Sequence, residues 1–110
     1  MERKANRLGL ENYRTTHAYY LTLNCHNRES YFTKKRVVKS CLADLQRSIN
    51  RFQAKLWVYC FMPDHLHLLC ESDNCLGFLK LFKQTSGYNF KKKTIKVLWQ
   101  KSFYDHILRS

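Results

Sequence analysis

With one proline, no internal repeat and no low-complexity tract, the chain has no identifiable linker. Its 110 residues are the length of one domain, 1–110, with room for a single core. No run approaches the ~18 consecutive apolar residues of a membrane-spanning helix. Nor does Met1-Glu2-Arg3-Lys4 lead into the apolar segment of a secretory signal. The five cysteines, at 25, 41, 60, 70 and 75, form no C-x-x-C pair and are odd in number. They fall mostly in apolar runs, where a free thiol behaves as a small hydrophobe, so a reducing, intracellular compartment is expected and structural zinc is not. Acidic residues are scarce: 8 Asp+Glu stand against 20 Lys+Arg, for a net charge of +12. That imbalance makes a polyanion the expected partner, and nucleic acid is favoured over a membrane surface.

Residues 1–16 are polar and expected to be loosely held. From His17 to Cys25 apolar and polar residues alternate, which predicts a first strand. From Lys34 to Gln53, Val38, Cys41, Leu42, Leu45, Ile49 and Phe52 recur at helical spacing, with Thr33 as N-cap. Lys55–Phe61 and His65–Glu71 alternate again and are joined so tightly that they predict an antiparallel hairpin. Asp73 or Asn74 can cap a second helix that buries Leu76, Leu79, Phe82, Ser86 and Phe90, with a bend or early end at Gly87. Val97–Phe103 reads as a fourth strand. The order β-α-β-β-α-β predicts an α+β, ferredoxin-like fold: an antiparallel four-stranded sheet with both helices on one face.

The stretch Phe61-Met62-Pro63-Asp64-His65-Leu66-His67-Leu68-Leu69-Cys70-Glu71 sets two histidines one residue apart in an apolar run. On a strand, residues i and i+2 share a face with Cα atoms roughly 7 Å apart. Two imidazoles can tilt across that gap to one ion at about 2.0–2.1 Å. The same pattern also occurs as two solvated or hydrogen-bonded side chains. Glu71 is roughly 13 Å along the strand from His67, too far to share its ion. By strand parity Asp64 points away from His65, and Pro63-Asp64 reads as a turn. A third ligand must then come from elsewhere.

These pieces together resemble the single-tyrosine HUH transposases (IS200-like), most closely the REP-associated tyrosine transposases of bacteria. The resemblance rests on Tyr19-Tyr20-Leu21-Thr22-Leu23, on Met62-Pro63-Asp64-His65-Leu66-His67-Leu68-Leu69, on the basic aromatic helix ending Leu81-Phe82-Lys83-Gln84-Thr85-Ser86-Gly87-Tyr88-Asn89-Phe90, and on Leu98-Trp99-Gln100-Lys101-Ser102-Phe103-Tyr104-Asp105-His106-Ile107-Leu108-Arg109. It implies a cytoplasmic, DNA-associated enzyme, a homodimer, that binds single-stranded or hairpin DNA. Such an enzyme cuts and rejoins a strand through a 5′-phosphotyrosine. It also implies that His65 and His67 hold Mg²⁺ or Mn²⁺, although imidazoles alone would suit a softer metal. The DNA contacts are expected from Lys34, Lys35, Arg36, Lys80, Lys83, Lys91, Lys92 and Lys93.

In such transposases the nucleophile lies in a Tyr-x-x-x-Asn/Gln helix after the Phe-Tyr-Asp-His segment, and this sequence stops at Ser110, just after that segment. The expectation is therefore a chain without its usual nucleophile and third ligand, which binds DNA but does not cut it. Tyr88 and Lys91 fit the Tyr-x-x-Lys pattern of HUH replication initiators, making Tyr88 a substitute nucleophile; the plainer reading of Tyr88 is stacking or packing. Trp99, Phe103 and Tyr104 read as packing residues. Two further readings stay open, a non-catalytic nucleic-acid-binding module and a small metal-binding protein. Against RNA recognition of the usual kind, no Lys/Arg-Gly-Phe/Tyr-Gly/Ala-Phe segment is present.

Overall fold

Alternation along residues 17–24 and 65–72 gives the sheet one apolar and one open face. The computed structural model describes residues 17–100 and 106–109, with side chains for 18–100. Strands β1 (His17–Asn24), β2 (Lys55–Met62) and β3 (His65–Ser72) are each eight residues long. They alternate with helices α1 (Lys35–Phe52) and α2 (Cys75–Thr94), and the four residues of β4 (His106–Arg109) complete the order. The strands lie in the order β2-β3-β1-β4, and each neighbouring pair is antiparallel. The body of the sheet is thus three full strands, with β4 as a short border along β1.

Leu21 and Leu23 of β1 and Leu66, Leu68 and Cys70 of β3 have no exposed surface, and the helices cover them with Cys41, Leu45, Phe78 and Phe82. Fully burying one such large side chain contributes about 1.5–3 kcal/mol. Phe32, in a 3₁₀ turn at Tyr31–Thr33, closes one end of the core against Phe61 and Trp99. Trp99 donates its indole N–H to Ser86 Oγ at 2.8 Å, and that hydroxyl donates to the Phe82 carbonyl. Trp99 is therefore a packing residue, as its sequence context suggested; Phe103 and Tyr104 lie outside the described residues, as does the segment 1–16.

The sequence-based boundaries need four corrections. Lys34, not Thr33, caps α1, and its side chain makes no cap hydrogen bond; Thr33 instead donates to the Ser30 carbonyl. Leu76, expected in the core, is 69% exposed because the buried stripe of α2 runs through Cys75, Phe78, Leu79 and Phe82 and leaves position 76 outside it. α2 also runs through Gly87 without interruption. The fourth strand is not Val97–Phe103. Among the described residues of that segment, Leu98–Gln100 meets the sheet edge: His26 N–H bonds to the Leu98 carbonyl and Gln100 N–H to the Asn24 carbonyl, around a Cys25–Trp99 bridge. The strand itself is β4, with His106 opposite Thr22.

At the start of α2, Asn74 Oδ1 accepts the Gly77 N–H, which settles the capping residue. A Cβ on Gly77 would sit 2.6 Å from Asn74 Nδ2 and 2.8 Å from Phe52, so only glycine lets the cap and α1 approach. At the other end, Ile95 adopts a left-handed conformation, φ 66°, and turns the chain back toward Trp99. A β-branched residue is strained there.

Candidate metal and nucleic-acid site

Because β3 commits Leu66, Leu68 and Cys70 to the core, His65 and His67 face outward from the open side of the sheet. Their Nε2 atoms lie 3.1 Å apart. Two nitrogens held about 2.1 Å from one ion would be about 3.0 Å apart at neighbouring octahedral positions and about 3.4 Å apart in a tetrahedron. The pair therefore fits a single divalent cation without rearrangement of the strand.

Each ring is also held from behind. His65 Nδ1 donates to Asp64 Oδ1 at 2.6 Å, and the other oxygen of Asp64 accepts from Arg28 Nε and Nη2, each at 2.9 Å. His67 Nδ1 lies 3.2 Å from the Thr22 hydroxyl. A carboxylate or hydroxyl behind a ligating imidazole fixes the ring and raises its basicity. The hydrogen-bond to His65, reinforced by Arg28, holds the Asp64 carboxyl below its usual range. Burial, and then the neighbouring His65, lower His67, which keeps it in the neutral form a cation needs.

The bonding pattern assigns the protons. With Asp64 taking the His65 Nδ1 proton, His65 Nε2 is an acceptor, so His67 Nε2–H donates to it and His67 Nδ1 accepts from Thr22. Placing a cation between the Nε2 atoms requires that proton to move to His67 Nδ1. Thr22 accommodates the move, since its hydroxyl accepts as readily as it donates.

Sequence parity excluded Asp64 from this site, and the structure corrects that reading. Asp64 belongs to the β2–β3 turn, where the alternation of a strand does not apply, and its side chain swings back onto His65. Thr22 was missed because only the antiparallel register Thr22↔His67 brings it there. Among the described residues no group of three His, Cys, Asp or Glu side chains could hold a metal. Glu71, set aside on distance, is taken up by the indole N–H of Trp57 at 3.0 Å.

The expected basic residues fall on the helical side and do not form one surface. Arg36, Lys92 and Lys93 line a groove of about 710 Å³ between α1 and α2, joined by Lys39 and Arg47, which the DNA-contact expectation omitted. Its floor is Asp44, 1% exposed, which accepts from Asn89 Nδ2 and Arg47 Nη1 and so ties the helices together. Lys80, Lys83 and Lys91 line a second groove of about 760 Å³ on the other flank of α2, with Tyr88 and Trp99. Lys34 and Lys35 are exposed at the start of α1, outside both grooves. Tyr88 is 66% exposed, with Lys92 Nζ 5.8 Å from its ring. It stands on the helix layer, across the sheet from the histidines, so the structure does not bring Tyr88 and the pair together. No helix among the described residues is long and apolar enough to cross a membrane.

Residues 13–107 match the model of the family described as "Transposase IS200 like". Two solved structures share the fold. One is a REP-associated tyrosine transposase bound to a REP hairpin, with a TM-score of 0.68 at 16% identity over 86% of this chain. This chain spans 57% of that one. The other, a Deinococcus radiodurans R1 protein assigned as a transposase, gives a TM-score of 0.70 at 18% identity, covering 98% of this chain and 85% of its own. No curated protein matches the sequence.

Proposed function

Since the chain belongs to the IS200-like transposase family, we propose that it is a DNA-transposition domain whose open sheet face takes the phosphodiester to be cut and whose basic helices hold the flanking DNA. The observation that carries this reading is the convergence of His65 and His67 Nε2 at 3.1 Å, with both Nδ1 atoms engaged from behind. His65 and His67 would hold the divalent ion, Mg²⁺ or Mn²⁺. Such an ion, when bound, polarises a phosphate oxygen and orients the bond to be broken. Asp64 and Thr22 keep the two rings aimed, and Arg28 keeps Asp64 ionised and in place.

The strand chemistry proposed is attack of a tyrosine hydroxyl on phosphorus. The P–O3′ bond breaks, a 5′-phosphotyrosine forms, and the proton is delivered to the departing 3′-oxygen. The placement of Tyr88 across the sheet speaks against the replication-initiator variant. Hairpin or single-stranded DNA is the proposed partner, supported by the net charge of +12 and by the REP hairpin seen with one structural neighbour.

A labelled hairpin oligonucleotide with a single-stranded flank tests the reading. If the five cations of the inter-helix groove each neutralise a phosphate, affinity should fall by about 3.5 log units per log unit of salt. Added Mn²⁺ should tighten binding, and His65→Ala or His67→Ala should remove that increment while leaving the salt slope in place. Salt-independent binding, or a metal increment that survives both substitutions, would refute it.

A further inference from the structure

The open face carries more than the histidines. The pairing Cys60↔His67↔Thr22 forms one row across the sheet, and Val58↔Leu69↔Tyr20 forms the next. The rows are about 7 Å apart along the strands. A β-bulge between Leu56 and Val58 brings Trp57 onto the same side, next to that second row. The polar row is thus bordered by an aromatic and aliphatic one.

We propose that this second row is a stacking platform for unpaired nucleobases, with Tyr20 and Trp57 holding the bases that adjoin a phosphate seated at His65 and His67. The inference rests on the DNA reading above and adds the residues that would position the strand. Tyr20 is 47% and Trp57 58% exposed, so neither ring is needed to fill the core. Neither is loose. Trp57 is anchored by its bond to Glu71, and Tyr20 meets the His67 ring edge-on, centroids 5.9 Å apart and planes at 88°.

Two observations favour a nucleic-acid strand as the occupant. Of the carboxylates on this face, Asp64 is balanced by Arg28, and Glu71, held by the Trp57 indole N–H, lies roughly 13 Å along the strand from His67 and so away from the phosphate. The net charge of +12 repels a second copy of the chain and attracts a polyanion. Bases must be unpaired to present a face to an aromatic ring, so the strand taken is single.

Tyr20→Ser and Trp57→Ser test this, read by anisotropy with a labelled 12-nucleotide single strand in EDTA, and again with abasic sites placed along it. Each Ser variant should lose about 5- to 150-fold in affinity, the range for one stacked base, with an unchanged salt slope. Tyr20→Phe, which keeps the ring, should restore the affinity. An abasic site at the stacked position should weaken the wild type and have no further effect in the Tyr20→Ser variant. Ser variants that bind like wild type, with salt dependence intact, overturn this inference alone. A wild-type chain that binds no DNA overturns the DNA reading beneath it. If Tyr20→Phe loses as much as Tyr20→Ser, the hydroxyl acts and not the ring. If Tyr20→Ser dissociates a dimer in sedimentation and leaves DNA affinity untouched, the face belongs to a second copy. Either result refutes the platform.

Discussion

Replacing Asp64 with Asn removes one negative charge from behind His65 while keeping nearly the same shape. In the wild type, Oδ1 takes the Nδ1 proton at 2.6 Å and Oδ2 takes two bonds from Arg28 at 2.9 Å. The amide oxygen of Asn can face only one of these partners, and its NH₂ group then opposes the other. The His65 ring loses its fixed orientation, and the tautomer that frees Nε2 is no longer enforced. Outer-shell losses of this kind weaken metal binding by about 10- to 100-fold. Folding should change little, because the Arg28 side chain is 59% exposed and such ion pairs contribute little. The assay is calorimetric Mn²⁺ titration beside a thermal melt, with Arg28→Met as a control that breaks the ion pair but keeps the bond to His65. Asp64→Asn should lose at least 10-fold in Mn²⁺ affinity with a near-native melting temperature, and Arg28→Met should lose much less. Equal affinity of Asp64→Asn and wild type would refute the supporting role of Asp64. So would a loss that the control reproduces in full.

Lys34→Ser should stabilise α1 by about 1 kcal/mol, since it supplies the missing cap and removes a cation from a helix N-terminus that has no acidic residue. The same change should weaken single-strand DNA binding and lower the salt slope by about 0.7 if Lys34 touches a phosphate; a thermal melt and a salt titration check the two halves. Ile95→Gly should raise stability by about 1 kcal/mol by relieving the left-handed strain at φ 66°, read by denaturant unfolding. With iodoacetamide at neutral pH, mass spectrometry should find Cys60 alkylated first. It is the exposed cysteine, whereas burial pushes Cys25 and Cys41 up to about 12 and shields them. An adduct at Cys60, opposite His67 in the register, should then impair Mn²⁺ binding.

The parts of the site that the sequence shows plainly are those governed by local periodicity. Alternation through Leu66, Leu68 and Cys70 fixes the outward direction of His65 and His67 without any tertiary information. Parity fails one residue earlier, at Asp64, because a turn residue is not bound by the strand's alternation. Thr22, Tyr20 and Trp57 are invisible as site residues until the β1–β3 and β2–β3 registers and the β2 bulge are known. The lysines illustrate a different limit. Their number predicts a polyanion, but only helix packing separates Arg36, Lys92 and Lys93 from Lys80, Lys83 and Lys91. The edge strand was misplaced because Leu98–Gln100 pairs at the sheet edge much as a strand would, whereas β4 itself is His106–Arg109.

The central claim is that His65 and His67 together seat a divalent ion that contacts a DNA phosphate. Pulsed electron paramagnetic resonance of Mn²⁺ bound to the chain tests it most directly, without and then with a single-stranded oligonucleotide. The account predicts couplings to two imidazole nitrogens in the protein alone, one lost in each of His65→Ala and His67→Ala, and a ³¹P coupling that appears on the same ion when the oligonucleotide is added. A ³¹P coupling on an ion that shows no imidazole nitrogen, or imidazole-bound Mn²⁺ that never acquires one, would contradict it.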